Sequence, residues 1–238
     1  MTQSISRGRN FPDASVLPDG TVIINGGSEF GNQVDKAVRN VEIWDPKTEV
    51  WTTGASSQIF RAYHSSSALL SNGAVFTGGG GLPGPLNNTN FEVYFPPYFF
   101  QRQGGKSVLA ERPRIMSMDK DSLKYGDLLA LEVVGDSASI VEVSFIALSV
   151  TTHHFDSNQR RMKLNFSAST SGLSIEAPPS LRNGNLASSK LSVSNSSMLE
   201  VSNLYGWKTL GGRPVQLLGN GHNGVAGWIC RILCLRHK

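Results

Sequence analysis

A repeated hairpin pattern is the feature that most constrains how this chain can fold. In each copy, a short apolar run meets an Asp-Gly or Asn-Gly dipeptide, and a second apolar run then enters a cluster of glycines. The copies span residues 15–27 and 68–80, and their turn glycines, Gly20 and Gly73, lie 53 residues apart. A tight two-residue turn needs positive φ at its centre, a conformation that Gly and Asn adopt readily. The pattern therefore predicts two copies of one β-hairpin unit.

The spacing of the two copies is close to the period of about 50 residues that is typical of kelch blades in β-propellers. Residues 41–46 and 49–51 predict the outer hairpin of the first blade, and residues 91–96 occupy a similar place in the second. A closed propeller needs at least about four blades. Two blades therefore predict either a ring completed by blades from elsewhere or a fragment, and we favour the fragment.

The second half of the chain has a different pattern. Short Val-, Ile- and Phe-rich runs are separated by turn residues at the spacing of a β-sandwich. With 25 Gly, 11 Pro and no apolar stripe at helical spacing, the sequence predicts an all-β chain. We expect two kelch-like propeller blades over residues 1–107, an immunoglobulin-like (early-set) β-sandwich over residues 108–187 and an irregular tail over residues 188–238.

Composition and charge argue against several classes of function. The net charge is +4, the basic residues are scattered, and no basic patch is interleaved with aromatic residues, so a nucleic-acid partner is not expected. No apolar run reaches membrane-spanning length, and the first residues lack the hydrophobic segment of a secretory signal. The two cysteines, Cys230 and Cys234, supply only half of a zinc site, and we interpret them as incidental residues of the tail.

Three side chains from separate parts of the sequence are candidate metal ligands. Tyr63 and His64 lie side by side directly before the second repeat copy, and His153 follows in the predicted sandwich. Nitrogen and oxygen ligands in a tetragonal arrangement suit Cu(II), so these residue types predict copper if the fold brings them together. His154 is not counted as a ligand, because an extended backbone would turn its side chain away from that of His153.

The residues around these ligands resemble galactose oxidase and the wider copper radical oxidases, which include the glyoxal oxidase-like proteins. The matched features occur in the same order along the chain. They are the runs RAYHS (61–65), NGAVF (72–76) and GGGGL (78–82), the pairs NF (90–91) and RP (112–113), the triplet PPY (96–98), and TH (152–153) followed by QRR (159–161). The match extends roughly over residues 7–187.

The resemblance implies a fold and an activity. In that family a seven-bladed propeller precedes an immunoglobulin-like domain, so this chain would be the last two blades and that domain. The implied activity is the oxidation of primary alcohols, sugars or aldehydes with O2, giving H2O2, at one copper ion. Tyr63 would be the axial ligand and the base that takes the alcohol proton, and His64 and His153 would be equatorial ligands. The resemblance also implies an extracellular location for the family.

Two departures from the family limit the expected activity. The family uses a second tyrosine, cross-linked to a cysteine and covered by an aromatic ring, as the redox partner of the copper. Here no tyrosine precedes Tyr63 and no cysteine precedes Cys230, so the chain alone is expected to be inactive. The tail from Ser188 onward lacks an obvious closing strand, and we interpret it as out of register with the ancestral coding sequence.

A second hypothesis is a truncated, non-catalytic β-protein that acts as a carbohydrate-associated or other weak binding module. Its open blade edges would present unpaired strand backbone, which favours self-association. Copper binding with nitrogen ligands would discriminate between the two hypotheses.

Two further patterns have structural interpretations. The glycine run at 78–81 lacks the lysine and the helix of a phosphate-binding loop, and we interpret it as a turn between blades. Gln159, Arg160 and Arg161 are interpreted as a solvated turn beside a strand.

Overall fold

Strands make up nearly all of the regular structure in this protein. The computed structural model describes residues 3–120, 122–170, 172–179, 191–194, 207–209 and 228–236. The helices within these ranges are single 3-10 turns at Val34–Lys36, Pro97–Phe99 and Ser137–Ser139. None of these described helices has the length and apolarity that crossing a membrane requires. The predicted all-β class is confirmed.

The chain divides into two compact units. The first comprises Met1–Ala110, Leu148–Arg161 and Ser197–Gly211, and the second comprises Glu111–Ala147, Met162–Ser196 and Gly212–Lys238. In sequence, Leu148–Arg161 lies inside the predicted sandwich domain, yet it clusters with the first unit. This placement matters because the segment carries His153.

The first sheet of unit one contains the first copy of the repeat. Its strands form an antiparallel meander in chain order: β1 (Asp13–Val16), β2 (Val22–Asn25), β3 (Asn40–Asp45) and β4 (Val50–Ser56). Val16 pairs with Val22 at the end of the first hairpin, and Gly20 in its turn has a φ of 87°. That φ lies in the left-handed region, which a residue with a Cβ adopts only at a cost, so the turn favours glycine.

The second sheet of unit one contains the second copy of the repeat. Its first three strands are β5 (Ser65–Leu69), β6 (Val75–Gly79) and β7 (Phe91–Tyr94), and a fourth, β19 (Trp207–Thr209), pairs antiparallel with β7. Leu69 pairs with Val75 across a turn in which Gly73 has a φ of 86°. Both sheets have the four antiparallel strands of a propeller blade, and their assignment to the kelch repeat stays a prediction.

Two short hairpins complete the strands of unit one. They are β8 (Phe100–Gln103) with β9 (Lys106–Leu109), and β14 (Thr151–Thr152) with β15 (Phe155–Asp156). The second hairpin packs against β5, and so does β1. Strand β5 directly follows Tyr63 and His64, so it is the common neighbour of the segments that carry the candidate ligands.

Unit two is a single curled sheet with one hydrophobic core. Its strands are β10 (Arg114–Met118), β11 (Ser122–Leu123), β12 (Leu128–Val134), β13 (Ile140–Ala147), β16 (Arg161–Ala168), β17 (Gly172–Glu176), β18 (Leu191–Ser194) and β20 (Trp228–Arg236). The strand order is β10-β12-β17-β16-β13-β20-β18-β11. Leu129, Leu131 and Val133 alternate with exposed residues along β12 and pack in one cluster with Phe145 of β13 and Ile175 of β17. This core between the two halves of the sheet is the layered packing of a β-sandwich.

The described residues of the tail differ from the irregular structure that the sequence predicted. Strand β20 pairs antiparallel with β13, β18 runs parallel to β20, and β19 joins the second sheet of unit one. Seven of the eight residues of β13 are buried, and a buried strand needs hydrogen-bonding partners on both edges because unpaired backbone groups away from water are costly. The closing strand that was not obvious in the sequence is therefore β20, and it contains Cys230 and Cys234.

Candidate metal site

Tyr63 and His64 occupy the centre of a tight turn directly before β5. The turn is closed by a hydrogen bond from the Ser65 backbone N–H to the Ala62 carbonyl oxygen (2.8 Å). His64 has a φ of 64°, and positive φ at this position of a turn is the feature of type II. The Gly81 N–H donates to the Tyr63 carbonyl oxygen (2.8 Å). The backbone that carries the two side chains is therefore fixed on both sides.

His153 and His154 form the two-residue loop of the hairpin in which Thr152 pairs with Phe155. Their φ values are 49° and 65°, as a type I′ hairpin turn requires at both central positions. Histidine is among the non-glycine residues that are enriched in the left-handed region. The expectation of an extended backbone at His154 is therefore wrong, because the strand breaks at this pair and reverses.

The two turns bring the three predicted ligand side chains together. The rings of Tyr63 and His64 stack with their centroids 3.9 Å apart, and the rings of His64 and His153 meet edge to face at 5.5 Å. His64 and His153 are exposed, and Tyr63 is half-buried. An imidazole nitrogen lies about 2.0–2.1 Å from a bound divalent ion, so two imidazoles on one ion have ring centres roughly 4–6 Å apart. His64 and His153 meet this condition.

The hydrogen bonding of His153 leaves one nitrogen for a metal ion. Its Nδ1 lies 2.6 Å from the Thr152 hydroxyl oxygen; in the tautomer that donates from Nδ1–H, the lone pair of Nε2 is available to a metal ion. Metal-bound histidines commonly donate the other ring N–H in this way. No group of three or more His, Cys, Asp or Glu side chains placed to hold a metal ion occurs within the described ranges. The ligand set predicted from the sequence contains only two side chains of these types, His64 and His153, with the Tyr63 phenol as the third ligand.

His154 contacts the backbone of His64. Its Nε2 accepts a hydrogen bond from the His64 backbone N–H (2.8 Å), and its Nδ1 lies 3.3 Å from Ser65 Oγ. Because Nε2 accepts, the ring proton is on Nδ1, and both nitrogens are occupied. Burial lowers the pKa of His154, and charge on His64 and His153 lowers it further. A neutral ring is the form that this hydrogen-bond pattern needs.

Asp13 is a buried carboxyl that contacts Ser65, the residue after His64. Its Oδ2 accepts a hydrogen bond from Ser65 Oγ (2.7 Å). Burial raises the pKa of Asp13 to about 6, against the opposing effects of hydrogen bonds from Ser65 and the Ser67 backbone and of the Arg61 charge. Sequence reasoning missed Asp13, which lies two residues before the first repeat copy and at the start of β1.

Phe11, which lies shortly before the first repeat copy, contacts Tyr63 and His154. Its ring meets that of Tyr63 at 5.2 Å in an edge-to-face arrangement and that of His154 at 5.6 Å. Phe11 lies in the run RNFPD (9–13) and Tyr63 in the run RAYHS (61–65), and each run begins with an arginine. Extending the 53-residue offset toward the N-terminus aligns Phe11 with His64 and Asp13 with Ser66, so the repeat alone does not assign either residue to the site.

Two buried ion pairs hold the segments that lead into the repeat copies. Arg61 Nη2 lies 3.5 Å from Glu92 Oε2, and Arg9 pairs with Glu42 in the first sheet. Arg61 also donates through Nη1 to the carbonyl oxygen of Gly79 (2.8 Å). The side chain of Arg61, two residues before Tyr63, therefore bonds to both β6 and β7.

Gln159 and Arg161 have structural partners and are not a solvated turn. The Gln159 side chain accepts from the Val16 N–H (2.5 Å) and donates to the Ala14 carbonyl oxygen (2.7 Å). Arg161 Nε donates to the Pro18 carbonyl oxygen (2.6 Å). The amide of Gln159 thus bonds to β1 as a neighbouring strand would.

Replacing Gln159 with alanine is expected to lower the free energy of unfolding by about 1–2 kcal/mol, because the Val16 N–H and the Ala14 carbonyl each lose a partner. Urea denaturation followed by tryptophan fluorescence measures the change. Gln159→Glu keeps the acceptor for Val16 and loses only the donor, so its effect should be smaller in the same titration. Equal stability of wild type and Gln159→Ala would contradict this role.

Comparisons with known proteins find relatives among oxidases. Residues 112–188 match the family described as galactose oxidase-like, Early set domain. A galactose oxidase of Gibberella zeae is 34% identical over 160 residues, which cover 66% of this chain and 23% of the relative. A protein of Arabidopsis thaliana described as an aldehyde oxidase is 24% identical over 211 residues, which cover 75% of this chain and 32% of the relative.

A solved structure shares the fold. It is described as a fungal alcohol oxidase of the AA5 family in complex with copper, and it matches with a TM-score of 0.67 at 25% identity. The match covers 75% of this chain and 38% of that structure. The resemblance to galactose oxidase and its relatives is therefore confirmed. The chain spans about a quarter to a third of the length of these two curated relatives.

Proposed function

We propose that this chain is the C-terminal part of a copper radical oxidase and that Tyr63, His64 and His153 hold its copper ion. The observation that carries the proposal is the meeting of the His64 and His153 rings at 5.5 Å, with the phenol of Tyr63 stacked on His64. These residues come from turns that are distant in sequence. The copper-bound alcohol oxidase that shares the fold supports copper as the metal.

The reaction proposed for the complete site converts a primary alcohol and O2 into an aldehyde and H2O2. The alcohol loses two electrons and two protons, and O2 gains both, so the equation balances without another reactant. A bound copper ion would acidify the alcohol hydroxyl as metal ions acidify bound water and would accept one electron. Tyr63 would take the hydroxyl proton at its phenol oxygen, while His64 and His153 would hold the metal.

We propose that the chain alone does not complete this reaction. The second electron needs a redox partner, which in the resembled family is a tyrosine cross-linked to a cysteine. In this sequence Tyr63 is the first tyrosine and Cys230 is the first cysteine. Copper binding without alcohol oxidation is therefore the expected behaviour of this chain.

Copper titration followed by electron paramagnetic resonance tests the ligand set. The wild-type chain is expected to give a tetragonal Cu(II) spectrum with coupling to the nitrogens of two imidazoles. His153→Ala and His64→Ala should each remove one nitrogen coupling and weaken copper binding. Replacing Cys230 and Cys234 with serine in all samples removes competing thiols, and His222→Ala is the matched control for loss of a histidine elsewhere in the sequence.

The outcomes separate the alternatives. If the spectrum and the affinity are unchanged in His64→Ala and His153→Ala, copper is bound elsewhere and the proposed ligand set is wrong. Peroxide release should be absent when the copper-loaded chain is mixed with a panel of alcohols and aldehydes. Sustained peroxide formation by this chain alone would contradict the need for the cross-linked tyrosine.

A further inference from the structure

We infer that His154 is a positioning residue that holds the His64 turn in the conformation that presents His64 and Tyr63 to the metal. The inference rests on the proposed function, because it assigns a role toward the same copper ion. It concerns a residue that is not a ligand. The support is a continuous chain of hydrogen bonds that joins His64 to Asp13.

The first link of this chain fixes the backbone of the ligand itself. His154 Nε2 accepts from the His64 backbone N–H at 2.8 Å. His64 has a φ of 64°, in the left-handed region that a residue with a Cβ occupies only at a cost. A conformation of this kind persists when the surrounding structure determines it. The hydrogen bond from His64 to His154 supplies such a restraint at the residue that bears the strain.

The remaining links fix the ring of His154. Because Nε2 accepts, Nδ1 carries the proton and faces Ser65 Oγ at 3.3 Å. The Ser65 hydroxyl donates in turn to Asp13 Oδ2 at 2.7 Å. Asp13 and Ser65 are buried, so the chain ends on a fixed carboxyl in β1. The direction of every donor is thus determined, and His154 has one tautomer.

The ring contacts of His154 give a second restraint. Its ring lies 5.6 Å from Phe11 and 5.9 Å from Tyr63, tilted against both. His154 therefore contacts both Phe11 and the predicted ligand Tyr63. An aromatic residue without a nitrogen at this position could keep the packing and lose only the hydrogen bonds, which makes the hydrogen-bonding role testable.

Amide hydrogen exchange of the metal-free chain, measured by NMR, tests the first link. In His154→Phe, the His64 amide is expected to exchange about 10-fold faster, as the loss of one restraining hydrogen bond worth about 1.4 kcal/mol would give. His154→Gln places an amide oxygen near the position of Nε2 and should restore the protection. Ser65→Ala removes the partner of Nδ1 and should give an intermediate rate, which keeps the test decisive if His154→Phe does not fold.

Copper affinity tests the consequence for the metal. Loss of a residue that orients a ligand commonly weakens metal binding about 10- to 100-fold, so His154→Phe should bind Cu(II) about 10-fold more weakly and His154→Gln should bind it as wild type does. The nitrogen couplings should stay at two in both variants, because His154 is not a ligand. Loss of one coupling in His154→Phe would make His154 a ligand and overturn the inference.

The amide exchange and copper affinity measurements together distinguish failure of this inference from failure of the proposed function. If the wild type fails to bind copper through His64 and His153, the proposed function fails whatever the exchange rates show. If the wild type binds copper and His154→Phe retains both the protection of the His64 amide and the wild-type affinity, the positioning role fails while the ligand set stands.

Discussion

Replacing Arg61 with alanine is expected to lower the free energy of unfolding by about 3–5 kcal/mol. Arg61 is 1% exposed and Glu92 is 0% exposed, so the substitution leaves a carboxylate in the interior without its cation. The same change removes the donors to the Asn90 side chain (2.7 Å) and to the Gly79 carbonyl oxygen (2.8 Å). Chemical denaturation of wild type and variant in parallel gives the difference.

An exposed ion pair in the same chain is the matched control. Arg7 lies 3.5 Å from Glu29, and both side chains are largely in water. Arg7→Ala should change stability by no more than about 1 kcal/mol, as exposed pairs do. The two substitutions delete the same type of side chain from one ion pair each. A loss in Arg61→Ala no larger than that in Arg7→Ala would show that burial of the Arg61 pair contributes nothing.

A double replacement separates the unpaired charge from the other contacts. In Arg61→Met with Glu92→Leu, no charge is left without a partner, and such exchanges of buried pairs for apolar residues are often close to neutral. The double variant should therefore be more stable than Arg61→Ala. If it is equally unstable, the hydrogen bonds from Arg61 to Asn90 and Gly79 account for the effect.

The hairpins of the repeat could be predicted from the sequence because their determinants are local. The Thr21 backbone N–H donates to Asp19 Oδ1 (3.0 Å), and the Ala74 backbone N–H donates to Asn72 Oδ1 (2.9 Å). Both contacts join residues two positions apart, with the turn glycine, Gly20 or Gly73, between them. Side chains that bond to the backbone two residues on are a property of Asp and Asn in turns. Such information is present in any short window of the sequence.

The support of the candidate site could not be predicted in the same way. The hydrogen bond from Ser65 to Asp13 joins residues 52 apart, and that from His64 to His154 joins residues 90 apart. No local pattern encodes these distances, because they depend on how β1, β5 and the β14–β15 hairpin pack. A family resemblance predicts Tyr63, His64 and His153, but it does not predict a residue such as His154 whose role lies in its hydrogen bonds to its neighbours.

The buried ion pairs could be predicted from the sequence only in part. Arg9 and Glu42 are 33 residues apart, and Arg61 and Glu92 are 31 apart. The recurrence of an arginine before each repeat copy and a glutamate in its third strand is visible once the copies are aligned. Burial of four charged residues is unusual unless they are paired, and only the sheet packing shows that they are.

Replacing Asp13 with asparagine is expected to change the pH dependence of stability by about 3 kcal/mol between pH 4 and pH 7. Burial raises the pKa of Asp13 to about 6 in the folded chain, from the ordinary value of 3.8. Each unit of difference between folded and unfolded pKa corresponds to about 1.4 kcal/mol. The folded state therefore binds the Asp13 proton more tightly than the unfolded chain does.

The sign of the effect follows from that preference. Below pH 4 the carboxyl is protonated in both states and the contribution to stability is complete. As the pH rises through 4 to 6, the unfolded chain releases the proton first, so the free energy of unfolding of the wild type falls. Above about pH 7, where the folded chain has also released the proton, the loss is complete. Asparagine is neutral at every pH and can still accept from the Ser65 hydroxyl, so Asp13→Asn should lack this fall.

Urea denaturation at intervals from pH 4 to pH 8 measures the difference between the two proteins. The stability of Asp13→Asn relative to wild type should rise by about 3 kcal/mol across this range and then level off above pH 7. Asp35→Asn removes one negative charge from a side chain that is 73% exposed and controls for the change in net charge. A difference that is flat with pH, or that falls as the pH rises, would show that Asp13 is ionised in the folded chain as readily as in water, and its hydrogen bond with Ser65 would then be a bond to a carboxylate throughout.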